Sequence, residues 1–226
     1  MQIISDTNKM AACIKKMKNK GSIGFVPTMG CLHEGHVSLI RKSRQKCDKI
    51  IVSIFVNPLQ FGPKEDYSKY PRPKNEDILI CKENGVDILF LPDEKNFYSK
   101  DFSTRIDENK VSKNFCGSFR PSHFSGVLTV VANLLNIVLP DYLFLGQKDY
   151  QQCLVIKRMI RDLNFQVKVI ICPTVREKSG LAMSSRNKYL SARDKERASL
   201  IYKSLVNTKR RILENYKNLS LKNIAI

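Results

Sequence analysis

At 226 residues with 42% hydrophobic side chains, the chain can bury a sizeable core as one large domain, with or without a small appendage. The net charge of +18, from 39 basic and 21 acidic residues, raises a polyanion partner, but the charges are dispersed and nowhere interleaved with the aromatics of a base-stacking surface. A solvated, lysine-rich surface is therefore preferred to nucleic-acid binding, and seven scattered cysteines without a C-x-x-C pair fit free thiols in a reducing compartment better than a disulfide framework or zinc site.

The N-terminus lacks the basic and apolar regions of a signal peptide. The longest apolar run, from Val127 to Leu139, is interrupted by Thr129, Asn133 and Asn136 and falls short of the ~20 residues needed to span a bilayer. A soluble, cytoplasmic protein with no membrane partner is expected.

In chain order, Ser5-Asp-Thr7 predicts the cap of a helix to about Lys18, with Met10, Cys13, Ile14 and Met17 on one face. Ser22 to Val26 suits an inner strand, and Pro27 should stop it because proline offers no N–H to a ladder. Val37 to Cys47 reads as a helix and Ile50 to Val56 as a buried parallel strand, ending at Asn57-Pro-Leu-Gln60-Phe61. Asn75 to Asn84 predicts a helix and Val86 to Leu91 a third strand, while Phe97 to Pro121 has no sustained period.

A helix then runs from Ser125 or Gly126 to about Val138, closed by Pro140. Tyr142 to Leu145 is a fourth strand, followed by Gly146-Gln-Lys-Asp149, a helix to about Leu163 and a fifth strand from Gln166 to Cys172. Ser191-Ala-Arg-Asp194 has capping-box spacing and should start a long basic helix through about Tyr216. Alternation of strands and helices predicts an α/β, Rossmann-like, doubly wound and mostly parallel sheet. In such sheets ligands sit beyond the carboxyl ends of the strands, so the loops 27–36, 57–61, 146–149 and 173–187 are expected on one rim.

The first of these loops concentrates the chemistry. Gly30 and Gly35 allow sharp bending or close ligand approach, and a helix starting near His36 would aim a positive dipole end at an anion. Two of the three histidines, His33 and His36, stand there. A zinc-protease helix would need its second histidine at i+4, where Val37 stands, so that reading is set aside. A capping role competes with an anion-binding one.

Pro27-Thr-Met-Gly followed by His33-Glu-Gly-His36 resembles the pantothenate synthetase family, the pantoate–β-alanine ligases of the HIGH-motif nucleotidyltransferase superfamily. Later segments agree in order and spacing over roughly residues 20 to 200. The resemblance implies ATP-dependent condensation of pantoate with β-alanine to pantothenate through pantoyl adenylate, with release of AMP and pyrophosphate. It implies ATP as co-substrate, Mg2+ as its counter-ion and a homodimer.

Carried over residue by residue, the resemblance puts ATP against Met29, Gly30, Cys31, Leu32, His33, Glu34, Gly35 and His36, with His36 as the proton donor. It adds Gly146, Gln147, Lys148 and Asp149, then Val175 and Met183-Ser184-Ser185-Arg186. Gln60, with neighbouring Asn57, and Gln152 match the pantoate and β-alanine contacts. His33, His36, Lys148, Ser185 and Arg186 are the types that would stabilise charge on a phosphoryl group. Asp149 either caps its helix or helps hold magnesium.

Three departures stand out. Gln147 replaces the family's usual glutamate, Phe115-Cys-Gly-Ser118 departs from its acidic, glycine-rich form, and the chain ends soon after the basic helix. The expected organisation is an ATP- and pantoate-binding domain over 1–175, then the Met183–Arg186 loop and a truncated C-terminal helical extension over 176–226. The alternatives are a relative adenylating another acid and a catalytically decayed basic protein binding nucleic acid.

Overall fold

The computed structural model describes residues 1–18, 20–93 and 96–215. It divides into two compact units, Met1–Pro173 and a second beginning at Thr174. The first holds six strands, β1 (Gln2–Ile4), β2 (Ile23–Thr28), β3 (Lys49–Ile54), β4 (Ile88–Phe90), β5 (Tyr142–Gly146) and β6 (Lys168–Cys172). All pair in parallel in the order β1-β4-β3-β2-β5-β6. After β2 the chain winds outward through β3 and β4, then crosses back to lay β5 on the other side of β2. Loops leaving β2 and β5 therefore border the crevice where the winding reverses, the usual ligand position of a doubly wound sheet.

The sheet is covered by α1 (Thr7–Met17), α2 (Glu34–Arg44), α3 (Lys74–Glu83), α5 (His123–Val138) and α6 (Tyr150–Asp162), with a single turn α4 (Cys116–Phe119) between them. Neighbouring strand residues point to opposite faces, which is why the strands read as unbroken apolar runs. Phe25, Ile51 and Leu143 join Met10, Ile14, Leu128 and Ile156 on one face, whereas Val26, Ile50, Val52 and Phe144 join Leu39, Ile40 and Cys81 on the other. At the amino ends of the strands, Asp48, Asp87 and Asp141 accept from the N–H groups of Ser22, Ile50 and Ile23 at 2.7, 2.8 and 2.7 Å. No helix among the described residues is long and apolar enough to cross a membrane.

Two expectations are corrected. The sheet has a sixth strand, β1, which only three residues form and of which Ile4 alone is buried, too little to leave an apolar pattern. Pro27 does not end β2, which pairs with β3 through Thr28. Thr28 turns its carbonyl to β3, where Phe55 N donates at 3.0 Å, so Pro27 faces β5. The β5 pairing with β2 involves only Gly24 and Phe25, and the missing N–H costs no ladder bond.

In the second unit, Asp194 N donates to Ser191 Oγ at 3.1 Å at the start of α7 (Ala192–Asn215). The expected helix end at Tyr216 and the remainder to Ile226 lie outside the described residues.

The start of α5 presses on the turn after β3. A methyl group at Gly126 would lie 2.2 Å from Leu59 O and 2.5 Å from Gln60 N, so the helix can approach only without a side chain. Gly126→Ala is expected to destabilise the protein by about 2 kcal/mol, the scale of overpacking against rigid backbone. Urea denaturation checks this.

Candidate active site

The β2 loop is built around a buried carboxylate. Thr28 Oγ1 donates to Ser53 O at 2.8 Å and accepts from Gly30 N at 3.1 Å, closing the end of the strand. The chain then turns with positive φ at Gly30 (+84°) and Cys31 (+50°), leaving the next amides pointing inward. Asp77 of α3, only 2% exposed, receives both: Cys31 N at 2.9 Å and Leu32 N at 2.7 Å. A methyl group at Gly30 would meet Asp77 Oδ2 at 2.9 Å and Ile54 Cγ2 at 2.8 Å, so glycine is needed for space as well as for φ.

His33 is the N-cap of α2, which begins at Glu34, two residues earlier than a start at His36 would give. Its Nδ1 accepts from Gly35 N at 3.1 Å, and His36 Nδ1 accepts from His33 N at 3.3 Å. The rings lie 4.1 Å apart. Because each Nδ1 takes a backbone proton, each neutral ring carries its own proton on Nε2. The helix N-terminus is thus not a bare row of amides: the histidines cap it and present Nε2–H groups in its place. Burial, then the neighbouring His33, then Lys148 push the pKa of His36 down to about 3. Burial and Lys148 lower that of His33 as well, against a smaller opposing pull from Asp149. With Nδ1 occupied, the neutral ring of His36 can offer its Nε2–H to an acceptor.

Lys148, in the 3-10 turn Gln147–Asp149 after β5, acts electrostatically on both rings, and Asp149 acts on that of His33. Lys148 Nζ lies 3.2 Å from Asp149 Oδ1, both side chains being partly exposed. Gln147 is exposed. A side chain at Gly146 would meet nothing within 4 Å, so this backbone borders open space.

After β3, the 3-10 turn Pro58–Gln60 brings Gln60 Nε2 within 3.1 Å of Met29 Sδ. Asn57, expected at the substrate, is 1% exposed and bonded to Gln60, so it reaches a ligand only through that residue. Gln152 is half-buried in the first turn of α6, and its side chain makes no hydrogen bond to the described residues. The first unit therefore joins Gln60 to Met29 by contact, and His33 and His36 to Lys148 through their electrostatics. Sequence reasoning missed Asp77, which sits in the first turn of a weakly amphipathic helix and whose only hint is Cys81, one turn on, facing the core.

The second unit carries the remaining expected contacts. Met183 N donates to Val175 O at 3.0 Å, and Ser184 Oγ accepts from Arg186 N at 3.3 Å. Ser185 is buried and Arg186 exposed. Asn187 Nδ2 ties the loop together, donating to Glu177 Oε1 at 3.1 Å and Ala182 O at 3.0 Å.

Residues 2–225 match the sequence model of the family described as Pantoate-beta-alanine ligase. The chain belongs to this family. Family relatives include the pantothenate synthetase of Sulfurihydrogenibium sp., 51% identical over 93% of this chain and 75% of the relative. That of Caldicellulosiruptor bescii is 49% identical over 97% of this chain and 78% of its own. Among solved structures, pantothenate synthetase from Thermus thermophilus superposes with a TM-score of 0.90 at 44% identity, covering 95% of this chain and 76% of that one. The pantoate-beta-alanine ligase of Francisella tularensis, complexed with Beta-gamma ATP and Beta-alanine, gives 0.85 at 45% identity, covering 90% and 78%. The family's α/β architecture is the one described above.

The neutral rings set a sign for acid sensitivity. A histidine whose folded pKa lies below its ordinary 6.5 contributes stability above that value and loses it as the pH falls towards 3. His36→Asn, whose Oδ1 can replace Nδ1 as acceptor, should flatten the loss of stability below 6.5. Denaturant melts across that pH range measure the slope, and nitrogen NMR of the wild type should show both rings protonated on Nε2. Asp77→Ala, which strands two buried N–H groups, should cost about 2–4 kcal/mol by the same melts.

Proposed function

We propose that the Met29–His36 turn and the Gly146–Asp149 segment bind ATP and stabilise charge while the acid is activated, with Gln60 and Gln152 holding that acid. The overall reaction follows from the family: an ATP-driven ligation of pantoate to β-alanine. A carboxylate is a poor acceptor for an amine because oxide is a poor leaving group. In the proposed first step a pantoate oxygen bonds to the α-phosphorus of ATP as the bond to pyrophosphate breaks. In the second, the β-alanine nitrogen bonds to the acyl carbon as the bond to AMP breaks, and pantothenate is released.

Negative charge builds on the phosphoryl oxygens in the first step, and fixed donors there need no reorganisation. The observation that carries the assignment is the pair of imidazoles whose Nδ1 atoms are both spent on backbone amides, leaving two Nε2–H donors beside Lys148. Neutral donors and one ammonium can grip a triphosphate without holding it so tightly that pyrophosphate cannot leave.

Among the described residues no three acids, histidines or cysteines are grouped to hold a metal. Asp149, with an exposed carboxylate, is the ligand that magnesium bound mainly through phosphate oxygens and water would need. When bound, the ion supplies charge neutralisation on ATP. The family resemblance also carries a homodimer, which sedimentation would test.

Pantoate-dependent exchange of labelled pyrophosphate into ATP tests the assignment. His36→Ala and Lys148→Ala should each lower the exchange rate about 10²-fold or more, the usual cost of losing one charge-stabilising donor. Full exchange in both variants would remove these residues from the chemistry.

A further inference from the structure

An amide can offer a ligand either its oxygen or its N–H groups, and the surroundings of Gln60 decide which. Asn57 beneath it has every polar position in use. Its Oδ1 accepts from the Tyr98 hydroxyl at 2.9 Å and from Leu59 N at 3.2 Å. Its Nδ2 donates to Gly126 O at 3.0 Å and to Gln60 Oε1 at 3.1 Å. Backbone N–H groups only donate and backbone carbonyls only accept, so flipping Asn57 would set donor against donor and acceptor against acceptor. The polarity passes on: Gln60 turns Oε1 towards Asn57 and leaves Nε2 beside Met29 Sδ, a weak acceptor that a ligand oxygen can displace.

The main chain of Gln60 is held from another side. His123 Nδ1 lies 2.9 Å from Gln60 O, and a carbonyl can only accept, so the ring donates. Arg120 adds a longer contact to the same oxygen at 3.4 Å, and its guanidinium is aligned by a two-pronged pair with Glu65. Tyr98 and His123 thus come from a stretch without periodic pattern and from the start of α5, and neither belongs to the expected substrate contacts.

We infer that Tyr98 and His123 are positioning residues for the acid substrate: Tyr98 holds Asn57 and His123 holds the main chain of Gln60, so that Gln60 keeps its N–H groups aimed at a ligand offering a carboxylate or hydroxyl oxygen. This rests on the reading of Gln60 as a pantoate contact, and Gln60→Ala tests that reading separately. Steady-state pantothenate formation is measured against pantoate and against ATP for Gln60→Ala, Tyr98→Phe, His123→Phe and His123→Asn, with a thermal melt of each.

Gln60→Ala should raise KM for pantoate about tenfold or more; an unchanged KM sinks the contact itself, and the inference with it. Given that rise, Tyr98→Phe and His123→Phe should each raise KM for pantoate about tenfold, the scale of one lost hydrogen bond. KM for ATP and kcat at saturating pantoate should stay within about twofold. His123→Asn, whose amide can donate from nearly the Nδ1 position, should restore KM for pantoate to within about twofold of the wild type. The positioning role is overturned if both phenylalanine variants keep the wild-type pantoate KM. It is equally overturned if KM rises for ATP as much as for pantoate with a matching fall in Tm that His123→Asn does not reverse. Tyr98→Phe removes a single oxygen and decides the matter alone should His123→Phe fail to fold.

Discussion

The site depends on one buried carboxylate. The turn after β2 must expose two consecutive amides to reverse direction within three residues, and an unpaired amide in the interior costs about as much as a whole turn contributes. Asp77 answers both amides at once, from a different helix, and thereby fixes where the turn lies relative to α3. Once Cys31 and Leu32 are pinned, His33 falls at the N-cap of α2 and His36 one turn on, and the capping bonds orient both rings. The orientation of both imidazoles is thus inherited from a structural bond made by another helix.

That inheritance also explains why the imidazoles stay neutral. A protonated ring would need to donate from Nδ1 to an amide that can only donate, and would sit beside Lys148 with its other face desolvated. Fold stability and function then ask for the same tautomer. At Gln60 the logic is repeated with an amide chain in place of imidazoles: Leu59 N–H and Gly126 C=O fix the orientation of Asn57, which in turn takes Gln60 Oε1 and leaves Nε2 outward.

What could be read from the sequence follows the range of the interactions. Ile50 to Val56, the Val127–Leu139 run and the His33/His36 spacing carry local, periodic or motif signals, and the strands, α5 and the catalytic turn follow from them. Asp77, Tyr98 and Glu65 act through bonds to residues 41 to 55 positions away, which leave no period in the chain. Pro27 misled for the related reason that a proline's effect depends on which neighbour its missing N–H would have faced, a fact of sheet order. β1 escaped notice because three residues on an edge, one of them buried, carry no alternation to detect.

The large positive charge takes on a different meaning in this light. Several of the 21 acidic side chains are committed inward or to loop closure: Asp48, Asp77, Asp87 and Asp141 receive backbone amides, and Glu65 pairs with Arg120. Lysines and arginines, by contrast, lie mostly on the surface. A cationic exterior raises the local concentration of every anion, ATP and pantoate alike, without distinguishing them, and salt screens it within about 10 Å. In the proposed reading, discrimination comes from short-range groups whose direction is fixed, and those are the neutral ones: two imidazole N–H donors held by the turn and one amide held by its neighbours. In that reading charge gathers the substrates, and hydrogen-bond polarity sorts them.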